Sequence, residues 1–148
     1  SSVGKVNALT SSSGGSTNVS VTGISTTGSV GSVSVTTPVT ATYTVTVASY
    51  LGSNYFYIDG VRAATLNLSE GSTYKFDQSD SSNSNHPLRF STTSNGTHAG
   101  GSPYTTGVTT NGTPGSSGAY SQIEVASGAP TLYYYCTNHS GMGGTINT

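Results

Sequence analysis

Residues 133–144 decide the fold class of this chain, and they run Tyr133-Tyr134-Tyr135-Cys136-Thr137-Asn138-His139-Ser140-Gly141-Met142-Gly143-Gly144. Three aromatic residues lead into a cysteine, which is typical of a β-strand that ends at that cysteine. A histidine and a methionine follow in a C-x2-H-x2-M pattern, within a turn that Gly141 and Gly143 allow to bend tightly. One short loop therefore offers a thiolate, an imidazole and a thioether, which indicates a site for a soft transition metal.

A second imidazole must come from a distant part of the chain, and His86 is the candidate. It lies in the segment Ser84-Asn85-His86-Pro87-Leu88-Arg89-Phe90. This position is just ahead of a predicted strand, and Pro87 stiffens the approach to it. Two histidines, one cysteine and a weak methionine are the ligands of a blue-copper site. The sequence thus predicts one type 1-like copper ion held by His86, Cys136, His139 and Met142.

Strand-like alternation dominates the chain, and apolar residues do not recur at helical spacing over two turns. The alternating segments are 43–47, 55–58, 88–90, 123–125 and 132–135. Asp59-Gly60 is a turn signal, and residues 65–68 and 73–76 flank Ser69-Glu70-Gly71-Ser72 as a predicted hairpin. Many short strands separated by turns predict an all-β sandwich or barrel.

Residues 1–48 differ from the rest. Residues 1–18 are mostly Ser, Gly, Thr and Asn, and two short β-prone segments follow at 19–25 and 30–35. They carry few large side chains, and a lone hairpin is marginal in water. We expect residues 1–48 to form a β-rich extended arm that adds strands to a neighbour, with a disordered leader as the alternative. Residues 49–148 form the predicted sandwich domain.

Composition limits the partners. Charged residues make up 6% of the chain and the net charge is −1, against about 25% charged residues in typical proteins. Neither nucleic acid nor an anionic membrane is an expected partner. No apolar run approaches the ~20 residues of a membrane span, and one cysteine permits no internal disulfide.

The copper ligands and the strands around them resemble the cupredoxin family. Segment 64–76 is similar to the hairpin that precedes the first histidine ligand of that family, and the aromatic strand before Cys136 also matches. The resemblance covers roughly residues 50–148. It implies an all-β, cupredoxin-like Greek-key β-sandwich, with equatorial ligands at His86, Cys136 and His139 and an axial ligand at Met142.

One departure from the family concerns the residue after the first histidine. Many small blue copper proteins have an asparagine there that ties the two ligand loops together, whereas this chain has Pro87. A His-Pro step is similar to that of multicopper oxidases, but three histidines in total cannot build their trinuclear cluster. Two alternatives remain: Cys136 as a buried free thiol, and a cupredoxin fold with an empty site.

No catalytic arrangement accompanies the copper ligands. His98 lies in a glycine-rich loop and is expected to be a solvated loop residue. No Ser-His-Asp pattern is present, and the glycine-rich stretches lack the Lys-Ser/Thr of a phosphate loop. We therefore do not expect an enzyme.

The low-charge β-segments suggest the setting. Residues 21–33 and the C-terminal motif resemble those of marine bacteriophage structural proteins. That resemblance implies a structural component of a virion or extracellular filament (a decoration, tail or fibre protein) that assembles with copies of itself or with other structural subunits. The alternative is a small soluble copper protein that carries electrons.

Overall fold

The computed structural model describes residues 38–148, so most of the predicted arm, including its segments 19–25 and 30–35, lies outside the described residues. The described part is built from strands and two short 3-10 turns, Ser81–Asn83 and Gly96–Ala99. The strands are β1 Val39–Tyr50, β2 Ser53–Ile58, β3 Val61–Arg62, β4 Leu66–Asn67, β5 Thr73–Asp77, β6 Leu88–Ser91, β7 Val108–Asn111, β8 Tyr120–Glu124, β9 Leu132–Cys136 and β10 Gly144–Asn147.

The strands form two mixed sheets, and the all-β sandwich predicted from the sequence is confirmed. The first sheet has the order β3-β2-β1-β5-β8-β7 and the second the order β4-β10-β9-β6. β1 pairs in parallel with β5, and β4 with β10, whereas the other pairings are antiparallel. β1 starts at Val39, within the segment predicted as the arm, and lies between β2 and β5.

The core consists of alternate residues from both sheets. Phe56, Phe76, Phe90 and Ile146 have no exposed surface, and each belongs to the same cluster of buried apolar side chains. Phe76 and Phe90 meet edge to face with ring centroids 5.3 Å apart. Burying one side chain of this size contributes about 1.5–3 kcal/mol to the free energy of folding. The apolar residues that alternate along the strands therefore make the main stabilising contribution.

The Asp59-Gly60 turn predicted from the sequence is confirmed. Both residues have positive φ, 48° and 81°, as the type I′ turn of a tight hairpin requires. The turn joins β2 to β3, and the Asp59 carboxylate accepts a hydrogen bond of 2.7 Å from the backbone N–H of Thr44. The turn is therefore fixed to β1 as well.

The predicted hairpin between residues 65–68 and 73–76 is wrong. β4 pairs with β10 in the second sheet, whereas β5 pairs with β1 and β8 in the first. Leu66, Tyr74 and Phe76 all belong to the buried core. Both segments bury apolar residues in the core, but they do so from opposite sheets. The connection between them therefore passes from one sheet to the other instead of joining neighbouring strands.

The register of β6 against β9 places the two candidate ligand segments at one end of the sandwich. Leu88 lies opposite Cys136, and Phe90 lies opposite Tyr134. His86 comes two residues before Leu88 and His139 three residues after Cys136. The segments that leave this strand pair therefore start side by side.

Within residues 38–148, no helix has the length and the apolar character needed to cross a membrane.

Candidate metal centre

Three of the four predicted ligands meet. Nδ1 of His86 lies 3.8 Å from Sγ of Cys136, and Nδ1 of His139 lies 3.7 Å from the same sulfur. One ligand atom from each residue lies within 4.8 Å of the other two, and the imidazole ring centroids are 4.5 Å apart. His86 and Cys136 are buried, whereas His139 is exposed. The cluster can therefore hold one metal ion, with one ligand facing solvent.

The separations between these atoms fit a shared ion. A metal held by sulfur at about 2.3 Å and by nitrogen at about 2.0 Å, with an angle near 120°, places the two atoms about 3.7 Å apart. Both nitrogen–sulfur distances are close to this value. The residues present thus fit a trigonal site made of two imidazoles and one thiolate.

Met142 is buried in the same apolar cluster as Cys136, with 1% of its surface exposed. Its backbone carbonyl accepts a hydrogen bond of 3.0 Å from the N–H of Phe56, which fixes the ligand loop to β2. Whether its thioether is a ligand stays a prediction.

Glycines let the ligand loop return to β9. Gly141 has φ +78°, which other residues rarely adopt. A Cβ atom on Gly143 would lie 1.7 Å from the backbone oxygen of Tyr134. No side chain fits at Gly143, and the positive φ of Gly141 favours glycine. Both positions therefore require the glycines predicted to shape this loop.

The protein environment keeps the sulfur protonated until a metal binds. Burial raises the pKa of the Cys136 thiol, and hydrogen bonds from the backbone N–H groups of Asn138 and His139 act in the opposite direction. These two N–H groups point at the sulfur and favour its anionic form. Metal binding would therefore release a proton, and the two hydrogen bonds would then stabilise the thiolate.

The same environment keeps His86 neutral. Its pKa is lowered first by burial and second by the neighbouring His139. A neutral imidazole is the form that binds a metal. The sulfur has to lose its proton to bind, whereas His86 is already in its binding form near neutral pH.

An amide pair ties the two ligand loops together. Nδ2 of Asn138 donates to the backbone carbonyl and to the side-chain oxygen of Asn85, at 3.1 and 2.8 Å. The N–H of Thr137 donates to the carbonyl of Pro87 at 3.0 Å. Pro87, the residue after His86, has no side-chain amide that could connect the two loops. Asn85, the residue before His86, makes this connection instead.

Two buried amides hold the His86 loop from inside. Gln78, 1% exposed, donates to the His86 carbonyl at 2.8 Å and accepts from the Leu88 N–H at 3.0 Å. It therefore bridges Pro87, which has no N–H. Asn83, 0% exposed, donates to the Val45 carbonyl at 2.7 Å. The sequence analysis missed both, because a lone Gln or Asn in a polar loop carries no pattern.

His98 is an exposed loop residue, as the sequence predicts, but it also contacts the strand that carries Cys136. Its side chain is exposed, but its Nε2–H donates a hydrogen bond of 3.0 Å to the Cys136 carbonyl. The ring also stands edge to face against Tyr135, with centroids 6.4 Å apart. The loop reaches this place because Asn95, with φ 63°, accepts from the Gly141 N–H at 2.8 Å. A third loop thus supports the cysteine.

No family model matches the chain, and no curated protein is significantly similar to it.

Asn138→Ala removes both amide bonds to Asn85 but leaves all four candidate ligands in place. Residues that orient ligands affect metal affinity by about 10–100-fold when removed, so we expect a loss of about tenfold in Co(II) affinity. The measurement is a competition titration against a chelator of known affinity.

Asn147→Ala is the matched control. Nδ2 of Asn147 donates to Oδ1 of Asn67 at 2.9 Å between β10 and β4, away from the cluster. Its Co(II) affinity should equal that of the unchanged protein. Equal affinities in both variants would show that the Asn138–Asn85 tie does not position the ligands.

Metal affinity should fall with acid in two stages. Because uptake releases the Cys136 proton, affinity should fall about tenfold per pH unit as the pH drops. The pKa of His86 is lowered, so its protonation begins to compete only below about pH 6.5 and steepens the loss there. Zn(II) competition between about pH 5 and about pH 8 measures this, since zinc has no redox chemistry. A Zn(II) affinity that does not change with pH above about pH 6.5 would exclude a protonated Cys136 thiol in the metal-free protein.

Proposed function

We propose that residues 38–148 form a cupredoxin-like domain that binds one copper ion through His86, Cys136, His139 and Met142. The observation that carries the proposal is the convergence of two imidazole nitrogens on one buried cysteine sulfur, at 3.7 and 3.8 Å. Equatorial ligands of this kind, with a methionine at an axial position, are the donor set of a blue-copper site.

The donor set favours copper over zinc. Structural zinc sites are four-coordinate, and their ligands are drawn from Cys, His, Asp and Glu. The cluster of such residues found within 38–148 has three members. The nearest further candidate in the sequence is the buried Met142, and thioethers are soft ligands that suit copper better than zinc.

The bound ion would supply a one-electron couple between Cu(I) and Cu(II), and the chain provides a site prepared for it. The amides of Asn138 and Gln78 fix the two ligand segments before any metal arrives. His86 and Cys136 are shielded from water. His139 is exposed and offers the route by which an electron reaches a partner. We therefore propose one-electron transfer as the function that this site supports best.

A second candidate is a structural subunit of a virion or extracellular filament that carries the copper domain. The specific support is apolar surface at the hairpins of the first sheet: Leu51 is 89% exposed, Val61 58% and Tyr50 45%. Tyr50 and Leu51 lie at the hairpin between β1 and β2, and Val61 lies at the hairpin between β2 and β3. Large exposed apolar residues can contribute to contact surfaces. The scarcity of charge, 6% of residues, points the same way. In this role the copper ion would hold the loops in place.

Copper loading tests the site. Stoichiometric Cu(II) should give an intense blue colour that Cys136→Ser abolishes, because the colour requires the copper–thiolate bond. Met142→Leu should keep the copper and the colour but raise the reduction potential, since the axial ligand tunes it. Visible spectroscopy and potentiometric titration measure these effects. A blue Cys136→Ser variant would overturn the assignment of the sulfur ligand.

Mass in solution separates the two roles. The structural role predicts large, regular assemblies of the full chain in light scattering and on electron-microscopy grids. Leu51→Ser combined with Val61→Ser should reduce them without changing copper content, because neither residue touches the cluster. A monodisperse monomer that exchanges electrons rapidly with a soluble partner would exclude the structural role and support the carrier.

A further inference from the structure

A cavity of about 290 Å³ lies beside the metal-binding segments. Its walls include Arg89 of β6, Val108 and Thr110 of β7, and Thr137, the residue that follows the cysteine ligand. Tyr104 contributes an aromatic wall. The cavity thus combines one cation and several hydroxyl groups with apolar surface, and no part of the metal centre uses it.

Arg89 brings a positive charge that no carboxylate balances. Its guanidinium is half-buried, and Nη1 donates to two neutral acceptors, the Leu88 carbonyl at 2.8 Å and the Ser121 hydroxyl at 3.1 Å. Within residues 38–148 no acidic side chain forms an ion pair with it. A guanidinium has five N–H donors in a planar fork. Donors therefore remain for a ligand.

The other cations in the described part of the chain have partners of another kind. The guanidinium of Arg62 lies 3.5 Å from the ring centroid of Tyr50, and Nζ of Lys75 lies 4.5 Å from that of Tyr120. These contacts with aromatic faces offset part of the cost of each charge. Arg89 has no such contact among these residues, so its charge is available to a ligand in the cavity.

Tyr135 is a second polar residue beside Arg89 that lacks a partner, although it does not itself line the cavity. Its side chain is fully buried, and its hydroxyl is the buried polar side-chain atom without a hydrogen-bond partner within residues 38–148. It lies directly opposite Arg89 in the β6–β9 pairing, so both side chains leave the same face of the sheet. Burial lowers the pKa of Arg89 and the Tyr135 phenol raises it, which reflects how close the two groups are. Leaving a buried hydroxyl without a hydrogen bond costs stability, so such a group calls for an explanation, of which a functional role is one.

We propose that this cavity binds a small organic carboxylate with an apolar body. The planar fork of Arg89 matches a carboxylate in a bidentate geometry, which is stronger than a neutral hydrogen bond. Thr110 lines the cavity and its hydroxyl can orient the anion, whereas Val108 and Tyr104 suit an apolar body. The volume, about 290 Å³, is at the lower end of ligand pockets and suits a molecule the size of benzoate.

Benzoate and benzamide test the proposal because they share one shape and differ in charge. The experiment is an NMR titration of the 15N-labelled full chain, followed at the backbone amides of Val108, Thr110 and Thr137 and at Nε of Arg89. Benzoate should give saturable shifts at these positions. Benzamide should bind at least about tenfold more weakly, as expected when a charged hydrogen bond is lost.

Three variants make the test specific. Arg89→Leu should lower benzoate affinity at least about tenfold, and Arg62→Leu, which removes an equal charge at another place, should leave it unchanged. Thr110→Trp fills the cavity from an exposed strand position and should also abolish binding, which keeps the proposal testable if Arg89→Leu fails to fold. Linear shifts without saturation, equal binding of benzamide, or unchanged affinity in a folded Arg89→Leu or Thr110→Trp variant would overturn it.

Discussion

The pairing of β6 with β9 is the constraint on which the rest of the structure depends. With Leu88 opposite Cys136, the chain before β6 and the chain after β9 leave the sheet next to each other. A slip of β9 by one residue would turn Cys136 away from the core and expose it. Leu88 and Cys136 are completely buried, so hydrophobic burial fixes the register. The packing of the core thereby also sets the distance from the sulfur to each imidazole.

Polar groups then convert this register into a defined site. The segment that carries His86 has no N–H at Pro87, and Gln78 bridges that gap by bonding to the residues on both sides of it. Burying Gln78 and Asn83 is costly unless their hydrogen bonds are made. Because Gln78 bonds to backbone atoms of the segment that carries His86, the cost of burying Gln78 is offset only when that segment has the conformation seen here. The buried amide of Gln78 therefore favours one arrangement of His86.

The sequence predicted which side chains meet better than it predicted the contacts that support them. The cluster of His86, Cys136 and His139 was predictable because soft donor side chains at this spacing are rare and the aromatic strand locates the cysteine. Alternation predicted the burial of Phe90 and Ile123 because strand periodicity is a local property.

Supporting contacts could not be found in this way. The bonds of His98 and Gln78 join residues to backbone atoms that only the folded chain brings near. The hairpin between β4 and β5 failed for a related reason, since two alternating segments around a turn fit both a hairpin and a crossing between sheets. The two segments are equally far apart along the sequence in a hairpin and in a crossing, and the two arrangements differ only in the strands with which each segment pairs. Local patterns thus identify strands and ligands, whereas the partners of each strand depend on the whole core.

X-ray absorption at the copper edge of the loaded protein is the decisive measurement, because it reports the atoms bound to the ion itself. We expect one sulfur and two imidazole nitrogens at short distances, from Cys136, His86 and His139. A spectrum with imidazole scattering but no short copper–sulfur distance would contradict this expectation, since the strand register would then not deliver the thiolate to the metal.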